Sequence, residues 1–285
     1  MKIPTDKSNP NSGLMLITTA LMCEARPLID EFKLKKITTV VEFPIFISQD
    51  KSIFLIVSGI GKINSASAVS FLYALTGLKK QAYLCNIGIA GSSLYKIGDL
   101  IIANKVVDQA SSRSLYPSLN LLPKKYKIDC LVTVDVASLN YFHFSMIDME
   151  AFGFYLCANR LVVKEQIQVI KIISDNPTTN HQALNAKLIT QLIEDNLSEI
   201  KKLIELNLQI SAEEFKIKKV PSIFFEITSQ AHFTCYQQHE LQEILRRYHA
   251  SLPQENILEI LANKKTAKEI ISMLKQQLAS VPYYL

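Results

Sequence analysis

Acidic residues and glycines follow several apolar segments of this sequence. Glu24 follows "LMLITTAL", Ser174 and Asp175 end the segment "EQIQVIKIISD", and Glu150 lies in "MIDMEAFGFYL". Carboxyl groups can act as general acids or bases, and ionised carboxylates accept hydrogen bonds from hydroxyl groups. In open α/β sheets, ligands bind beyond the carboxyl ends of the strands. We therefore expect these acids to surround one crevice.

Each acid also has an ordinary structural explanation. Glu24 and Glu150 stand at predicted helix starts, where a negative charge complements the helix dipole. Asp175 belongs to the sequence Ser-Asp-Asn-Pro, which is typical of a turn. A capping role and a position in a cleft therefore remain alternatives for Glu150, whose neighbours in the chain are mostly apolar.

The order of apolar segments predicts the fold. Strand-like "LMLITTAL" and "SIFLIVS" are followed by helix-like "EARPLIDEF" and "INSASAVSFLYALTG", the second closed by Gly77. Further strands are predicted at "AYLCNIGIAG", "IGDLIIANKVV" and "EQIQVIKIIS", with a helix beginning near Glu150. This alternation indicates a three-layer α/β/α sandwich around a mixed, twisted central sheet that is buried on both faces.

The C-terminal part has a different pattern. A long helix is predicted over about Asn185 to Leu208, and "VPSIFFEIT" (Val220 to Thr228) predicts a strand or a buried extended segment. Two amphipathic helices follow. We predict a flexible tail over residues 1–13, an α/β domain over 14–210 and a mostly helical extension over 211–285. Periodicity leaves open whether the extension is a separate domain or a lid.

Composition narrows the possible partners. Lys and Arg outnumber Asp and Glu by only 31 to 26 in 285 residues, without a long basic cluster, so nucleic acid is not an expected partner. No apolar run is long enough for a membrane span. The polar N-terminus "MKIPTDKSNPNSG" resembles neither a signal peptide nor a membrane anchor.

Cysteine and histidine positions indicate neither disulfides nor a metal site. The five cysteines are widely spaced and form no CxxC pair, which predicts reduced, buried thiols in a cytoplasmic protein. The five histidines lack metal-ligand spacing. We therefore expect no metal and no cofactor.

Five motifs, taken in order, resemble a known superfamily. They are "ALMCEARPL", "SGIGKINSASA", "NIGIAGSSLYKIGDLIIA", "DMEAFG" and "IISDN". Together they resemble the nucleoside phosphorylase and nucleosidase superfamily, and most of all the methylthioadenosine/S-adenosylhomocysteine nucleosidases, with futalosine hydrolase and hopanoid-associated phosphorylase-like proteins as relatives. The resemblance covers roughly residues 14–208. It implies hydrolysis of the N-ribosyl bond of a purine nucleoside by a homodimer.

The resemblance also implies how a nucleoside is held. Met149 would line the sugar, and Glu150 would accept hydrogen bonds from its 2′ and 3′ hydroxyls. Ala90 and Gly91 would allow the backbone to approach the ligand closely. Ile60 resembles the apolar contact to the 5′ substituent.

The implied catalytic residues are two carboxyl groups. Asp175 matches the acid that protonates or hydrogen-bonds N7 of the purine, with Ser174 orienting it. Glu24 matches the residue that positions and activates the attacking water. The carboxylate of Glu24 would also stabilise a positive, oxocarbenium-like sugar.

One region departs from the superfamily pattern. Val134 stands where a glycine is expected, and Asp135 keeps the acidic position. A purine-stacking aromatic residue is not placed by the motif; Tyr141, Phe142 or Phe144 could substitute. This departure supports an alternative, a catalytically weakened protein that binds a nucleoside, or a partner through its C-terminal helices.

A phosphorylase is the other alternative. Phosphorolytic relatives bind the anion with an arginine before the glycine turn and a hydroxyl within it, and here Asn86 and Ile89 occupy those positions. The expected reaction is therefore hydrolysis. Arg26 or Arg113 could still supply an anion site from another direction.

Overall fold

A computed structural model describes residues 13–77, 82–119, 122–137, 146–177, 184–218, 221–252 and 256–280. By its contacts the chain divides into two compact units, Met1–Glu214 and Phe215–Leu285. The predicted tail lies outside the described residues except for Gly13. None of the described helices is long and apolar enough to cross a membrane.

The described strands all lie in the first unit and belong to one sheet. They are β1 Met15–Thr19, β2 Lys35–Lys36, β3 Ile45–Ile47, β4 Ile53–Val57, β5 Tyr83–Gly91, β6 Leu100–Asp108, β7 Ser114–Leu115, β8 Lys127–Thr133, β9 Met146–Asp148 and β10 Ile167–Asp175.

Five described helices begin in the first unit and four lie in the second. The first five are α1 Met22–Glu31, α2 Lys62–Leu75, α3 Ala151–Leu161, α4 Ala186–Asp195 and α5 Leu197–Lys218, whose end reaches into the second unit. The other four are α6 Ile223–Gln230, α7 Cys235–Ser251, α8 Ile257–Leu261 and α9 Ala267–Ala279.

The sheet is mixed, and part of it closes into a ring. Strand β1 pairs in parallel with β4 and β5, and β5 pairs in parallel with β10. Strand β10 then pairs antiparallel with β6, which continues through β8 and β9 back to β5 at Gly91. The carboxyl ends of β1, β4, β5 and β10 therefore meet at one edge, where ligands of α/β proteins bind.

Side chains alternate between the two faces of the sheet. On β1, Leu16 packs into the core that includes α2 and α3, whereas Met15 and Ile17 pack into the core that includes α1, α4 and α5. This alternation follows from the two-residue period of a strand. The predicted three-layer α/β/α sandwich with a mixed sheet is confirmed, and described helices follow it towards the C-terminus.

Two elements of the C-terminal prediction were wrong. The long helix predicted over Asn185 to Leu208 is interrupted at Asn196, whose side-chain amide donates to the carbonyls of Gly98 and Leu192. The segment predicted as a strand or extended segment over Val220 to Thr228 instead forms most of α6. Its buried residues, Phe224 and Ile227, are three apart, which suits one face of a helix. Val220 lies outside the described residues.

The five cysteines are free thiols, as predicted, but their predicted burial was wrong for most of them. Only Cys85 is buried; Cys235 is exposed and the other three are intermediate. Cys23 is the second residue of α1, Cys130 lies in the half of β8 that is not fully buried, and Cys157 lies within α3, so an apolar sequence context did not ensure full burial.

Helix α1 contains a proline that frees a carbonyl. Pro27 has no N–H to donate to the Cys23 carbonyl one turn earlier. The hydroxyl of Thr190, in α4, donates to that carbonyl at 3.1 Å. The missing hydrogen bond inside α1 is thus replaced by one that joins α1 to α4.

Helices α2 and α3 approach each other closely at Gly153. A Cβ added at Gly153 would lie 1.9 Å from the carbonyl oxygen of Lys62, a backbone atom that cannot rotate away. We expect Gly153→Ala to lower the free energy of unfolding by roughly 1–3 kcal/mol or more, because the helices must separate. Urea unfolding measures this loss. The exposed Asn159→Ala on the same helix is the control, expected to change stability by about 0.5 kcal/mol or less.

Candidate active site

The eight predicted site residues line one cavity of ≈ 470 Å³. They are Glu24, Ile60, Ala90, Gly91, Met149, Glu150, Ser174 and Asp175. A volume of this size suits a small organic ligand. The three acids named from the sequence therefore converge on one pocket.

The sheet topology explains this convergence. Glu24 lies in the first turn of α1, just after β1, and Ala90 and Gly91 end β5. Glu150 stands between β9 and α3, while Asp175 ends β10. Ile60, half exposed, lies between β4 and α2. These positions all lie near the edge where the parallel strands end.

Three backbone N–H groups hold the buried Glu24 carboxylate. Its Oε2 accepts from Ala20 and Leu21 at 2.9 and 2.8 Å, and its Oε1 accepts from Ile89 at 2.9 Å. Burial raises the pKa of Glu24, although the charge of Lys171 and these donors oppose the rise. The structural explanation given for Glu24 in the sequence analysis is therefore partly correct. Glu24 caps the start of α1, and it also lines the cavity.

Gly88 is required for the position of Glu24. A Cβ at Gly88 would lie 2.7 Å from Oε1 of Glu24. Any other residue would push the carboxylate away from the Ile89 N–H. The sequence predicted this glycine to be part of a turn, but Gly88 lies within β5, where it allows the side chain of Glu24 to approach the strand.

Asp148 and Glu150, the two acids of "MIDME", have different roles: one caps a helix and the other faces the cavity. Asp148 caps α3, because its Oδ2 accepts from the N–H of Ala151 at 2.8 Å and of Glu150 at 3.3 Å. Glu150 instead faces the cavity, and its Oε1 accepts from the Gly61 N–H at 2.9 Å. Burial raises the pKa of Glu150 to about 7, and the charge of Asp148 adds to the rise, while Lys171 opposes it.

Asp175 and Ser174 form a pair at the end of β10. The Ser174 hydroxyl is hydrogen-bonded to Oδ1 of Asp175 and lies 3.4 Å from the Ala90 carbonyl. The register of β10 against β5 shifts between Ile173 and Asp175. Such a bulge changes the direction of the following side chain. Asp175 consequently lines the cavity at the end of a strand whose residues are all buried.

A buried lysine below the acids was missed from the sequence. Lys171, in β10, is 1% exposed, and its Nζ lies 2.9 Å from Oδ2 of Asp148. Burial alone would lower the pKa of Lys171, but the charges of Asp148, Glu150 and Glu24 outweigh burial and raise it. A single lysine inside the apolar run "IQVIKIIS" was the available signal.

The region that departs from the superfamily pattern also borders the cavity. Val134 lines it, and Asp135 forms an ion pair with Lys62, which also pairs with Asp108. The candidate stacking residues, Tyr141, Phe142 and Phe144, lie outside the described residues. Purine stacking by an aromatic residue therefore stays a prediction.

Within the described ranges, no group of three or more His, Cys, Asp or Glu side chains could hold a metal ion. His143 and His181 lie outside these ranges, and the other three histidines belong to the second unit.

Comparison with curated proteins gives one short match. No family model matches the chain. A methylthioadenosine/S-adenosylhomocysteine nucleosidase from Oceanobacillus iheyensis is 34% identical over 86 residues, which cover 28% of this chain and 36% of that protein. The match therefore spans about a third of the length of this relative.

Solved structures match a larger share of the chain. A methylthioadenosine/S-adenosylhomocysteine nucleosidase from Campylobacter jejuni has a TM-score of 0.57 and 18% identity, covering 68% of this chain and 99% of that one. Futalosine hydrolase of Helicobacter pylori has a TM-score of 0.55 and 21% identity, covering 68% and 97%. The chain thus has an α/β fold of the nucleoside phosphorylase and nucleosidase type. Within that type, its fold is similar to those of these nucleosidases and of futalosine hydrolase.

The charge balance around Lys171 gives a test of the site. We expect Lys171→Met to lower the free energy of unfolding by about 3–5 kcal/mol near neutral pH, because it leaves Asp148 buried without its counter-ion. The loss should shrink as the pH falls, since the buried carboxyls of the variant bind protons more readily in the folded state than in the unfolded state. Urea unfolding at several pH values measures both effects.

The control is Lys127→Met, which removes a surface ion pair with Asp99. Exposed pairs contribute about 0–1 kcal/mol, so this variant should remain close to the original protein. A loss for Lys171→Met that does not change with pH would contradict the role assigned to its charge.

Proposed function

We propose that the protein hydrolyses the N-ribosyl bond of a purine nucleoside with a 5′-thio substituent, of the methylthioadenosine or S-adenosylhomocysteine kind. The observation that carries this proposal is the convergence of Glu24, Glu150 and Asp175 on one cavity. The similarity in fold to nucleosidases that are named for these substrates supports it.

Glu150 is the proposed ribose ligand. An ionised carboxylate offers two acceptor oxygens, which match the two donors of a vicinal diol. The Gly61 N–H already holds Oε1, so the carboxylate is positioned before the sugar arrives. Met149, which also lines the cavity, would contact the sugar.

Asp175 is the proposed general acid. A purine anion is a poor leaving group, and protonation or hydrogen bonding at N7 makes its departure easier. The hydroxyl of Ser174 is hydrogen-bonded to the Asp175 carboxyl and would orient it. Ala90 and Gly91 line the same part of the cavity and leave room for the base.

Glu24 is the proposed ligand of the attacking water. Its oxygens accept three backbone N–H bonds, yet two carboxylate oxygens have about four acceptor positions, so one remains for a water. The negative charge would also stabilise positive charge that develops on the sugar.

The contacts around β5 favour water over phosphate. The Ile89 N–H, which an anion beside this part of β5 would use, is already bound to Glu24. The Asn86 side-chain amide donates to the buried Thr18 carbonyl, not towards the cavity. A fixed carboxylate at this place repels phosphate. We therefore propose hydrolysis rather than phosphorolysis.

We further propose a cytoplasmic homodimer. Ile60, which lines the cavity, exposes 51% of its surface, and Ile63, in the first turn of α2, exposes 77%. Exposed apolar residues close to each other in the chain support coverage by a second copy. The five free thiols are consistent with a reducing compartment. Sedimentation equilibrium measures the assembly directly, and a monomer at high concentration would contradict the dimer.

The reaction is tested by product analysis. In phosphate-free buffer, methylthioadenosine should yield free adenine and the free sugar, because water is the proposed nucleophile. Asp175→Asn should lower kcat by roughly two to four powers of ten, because an amide cannot deliver a proton. Chromatography of both products measures the reaction.

Three outcomes would each contradict part of this proposal. A requirement for phosphate, with a sugar 1-phosphate as product, would indicate a phosphorylase. Nucleoside binding without base release from a panel of adenosine derivatives, inosine and futalosine would indicate a binding protein instead. If Asp175→Asn turns over substrate at the wild-type rate, Asp175 is not the general acid and has only a structural role.

The ribose role of Glu150 predicts a pH dependence. Since the pKa of Glu150 is raised to about 7, its ionised form predominates only above that pH. Riboside affinity should therefore increase as the pH rises from about 6 to about 8, whereas free adenine should show less dependence. Glu150→Gln should weaken ribosides more than free base and flatten the pH profile.

Calorimetry measures both affinities. Glu42→Gln, which replaces an exposed acid, is the control for a change of one charge. Equal weakening of riboside and free base by Glu150→Gln would contradict the assignment.

A further inference from the structure

A surface groove between α1 and α4 adjoins the cavity. It is lined by Met22, Cys23, Arg26, Ala186, Lys187, Thr190, Gln191 and Glu194. Cys23 and Ala186 also line the cavity. A ligand that fills the cavity could therefore extend past these two residues into the groove.

The walls of the groove are joined to each other. The Thr190 hydroxyl of α4 donates to the Cys23 carbonyl of α1 at 3.1 Å, at the position that Pro27 leaves without an intrahelical donor. This contact fixes the spacing of the two helices beside the cavity. The groove is thus a formed feature of the first unit.

Two cations line the groove from opposite helices. Arg26 belongs to α1 and Lys187 to α4, and both side chains are exposed. Neither forms an ion pair with a residue in the described part of the chain. Lys187 lies in the first turn of α4, where the helix dipole disfavours a positive charge. Helix stability therefore does not account for a lysine at this position.

The acid of the groove lies farther along α4. Glu194 is seven residues after Lys187, which places their backbones roughly 10 Å apart along the helix. The end of the groove near Cys23 and Ala186 is therefore the more positive one. An anionic group that leaves the cavity would meet Arg26 and Lys187 first.

We propose that this groove binds a carboxylate on the 5′ substituent of the nucleoside. The inference rests on the proposed function, in which Asp175 holds the base and Glu150 the ribose. The cavity lining at Leu21, Cys23 and Ala186 is assigned to neither the base nor the ribose, and Cys23 and Ala186 also line the groove, so this part of the cavity is available to the 5′ chain. A guanidinium can bind a carboxylate with two parallel hydrogen bonds, and an ammonium adds a second charge. Substrates with an anionic tail are therefore preferred over neutral ones of equal length.

The test compares two matched nucleosides. Both are adenosine 5′-thioethers of equal tail length, one ending in a carboxylate and the other in the neutral amide. We expect the original protein to have the higher kcat/KM for the carboxylate. Arg26→Gln and Lys187→Gln should each reduce that preference roughly threefold to tenfold, the range of partly exposed charge-assisted contacts. High salt should reduce it in the original protein and have little effect in the double variant.

Arg160→Gln is the matched control. Arg160 is exposed in the last turn of α3, a helix on the opposite face of the sheet. This variant loses the same charge outside the groove and should keep the preference. If Arg160→Gln loses as much of the carboxylate preference as Arg26→Gln does, the preference comes from the net charge of the protein, and the proposed site is wrong.

Failure of the groove and failure of the proposed function are distinguishable. If neither nucleoside is hydrolysed, the proposed function is wrong, and calorimetry with the same intact pair still measures the preference of the groove. If both nucleosides are hydrolysed equally well, the carboxylate site is wrong and the proposed hydrolysis stands. If both are bound equally well without hydrolysis, both proposals are wrong. A preference that survives in the double variant would also overturn the site.

Discussion

The buried ammonium of Lys171 is the charge on which the arrangement of the site depends. Asp148 contacts it directly, and the charges of Glu150 and Glu24 also act on it. Several buried carboxylates without a cation would repel one another and would be strongly desolvated. The single cation of Lys171, in β10, reduces this cost without neutralising all the acids. The site therefore keeps a net negative character, which suits a reaction that develops positive charge on a sugar.

Backbone N–H groups then position Glu24 and Glu150. Glu24 is held by donors from the β1–α1 turn and from β5, and Glu150 by the turn before α2. Backbone donors lose no side-chain entropy when they bind, and the sheet fixes their positions. The acids are consequently oriented before a ligand enters, as electrostatic stabilisation of a transition state requires.

The sequence contained enough to predict the sandwich fold and the convergence of its acids. Apolar runs alternating with helical patterns predict the layers, and Glu24, Glu150 and Asp175 follow from the motifs at strand ends. Local pattern could not predict the break at Asn196, because it involves a carbonyl at Gly98, nearly a hundred residues earlier in the chain. Lys171 was missed for a similar reason, since a buried lysine is recognised only when its carboxylate partners from other strands are known.

The ring of strands has a consequence for the order in which the protein forms during synthesis. Strand β10, the last described strand of the sheet, pairs with β5 and β6. Contacts between such distant segments form only after the intervening chain exists. A nascent chain that ends before β10 has neither a closed ring nor Lys171, so it lacks the cation that offsets the charges of the buried acids. When β10 has been translated, more than a third of the 285-residue chain is still to be made. The ribosome can therefore still hold the C-terminal helices when the site assembles.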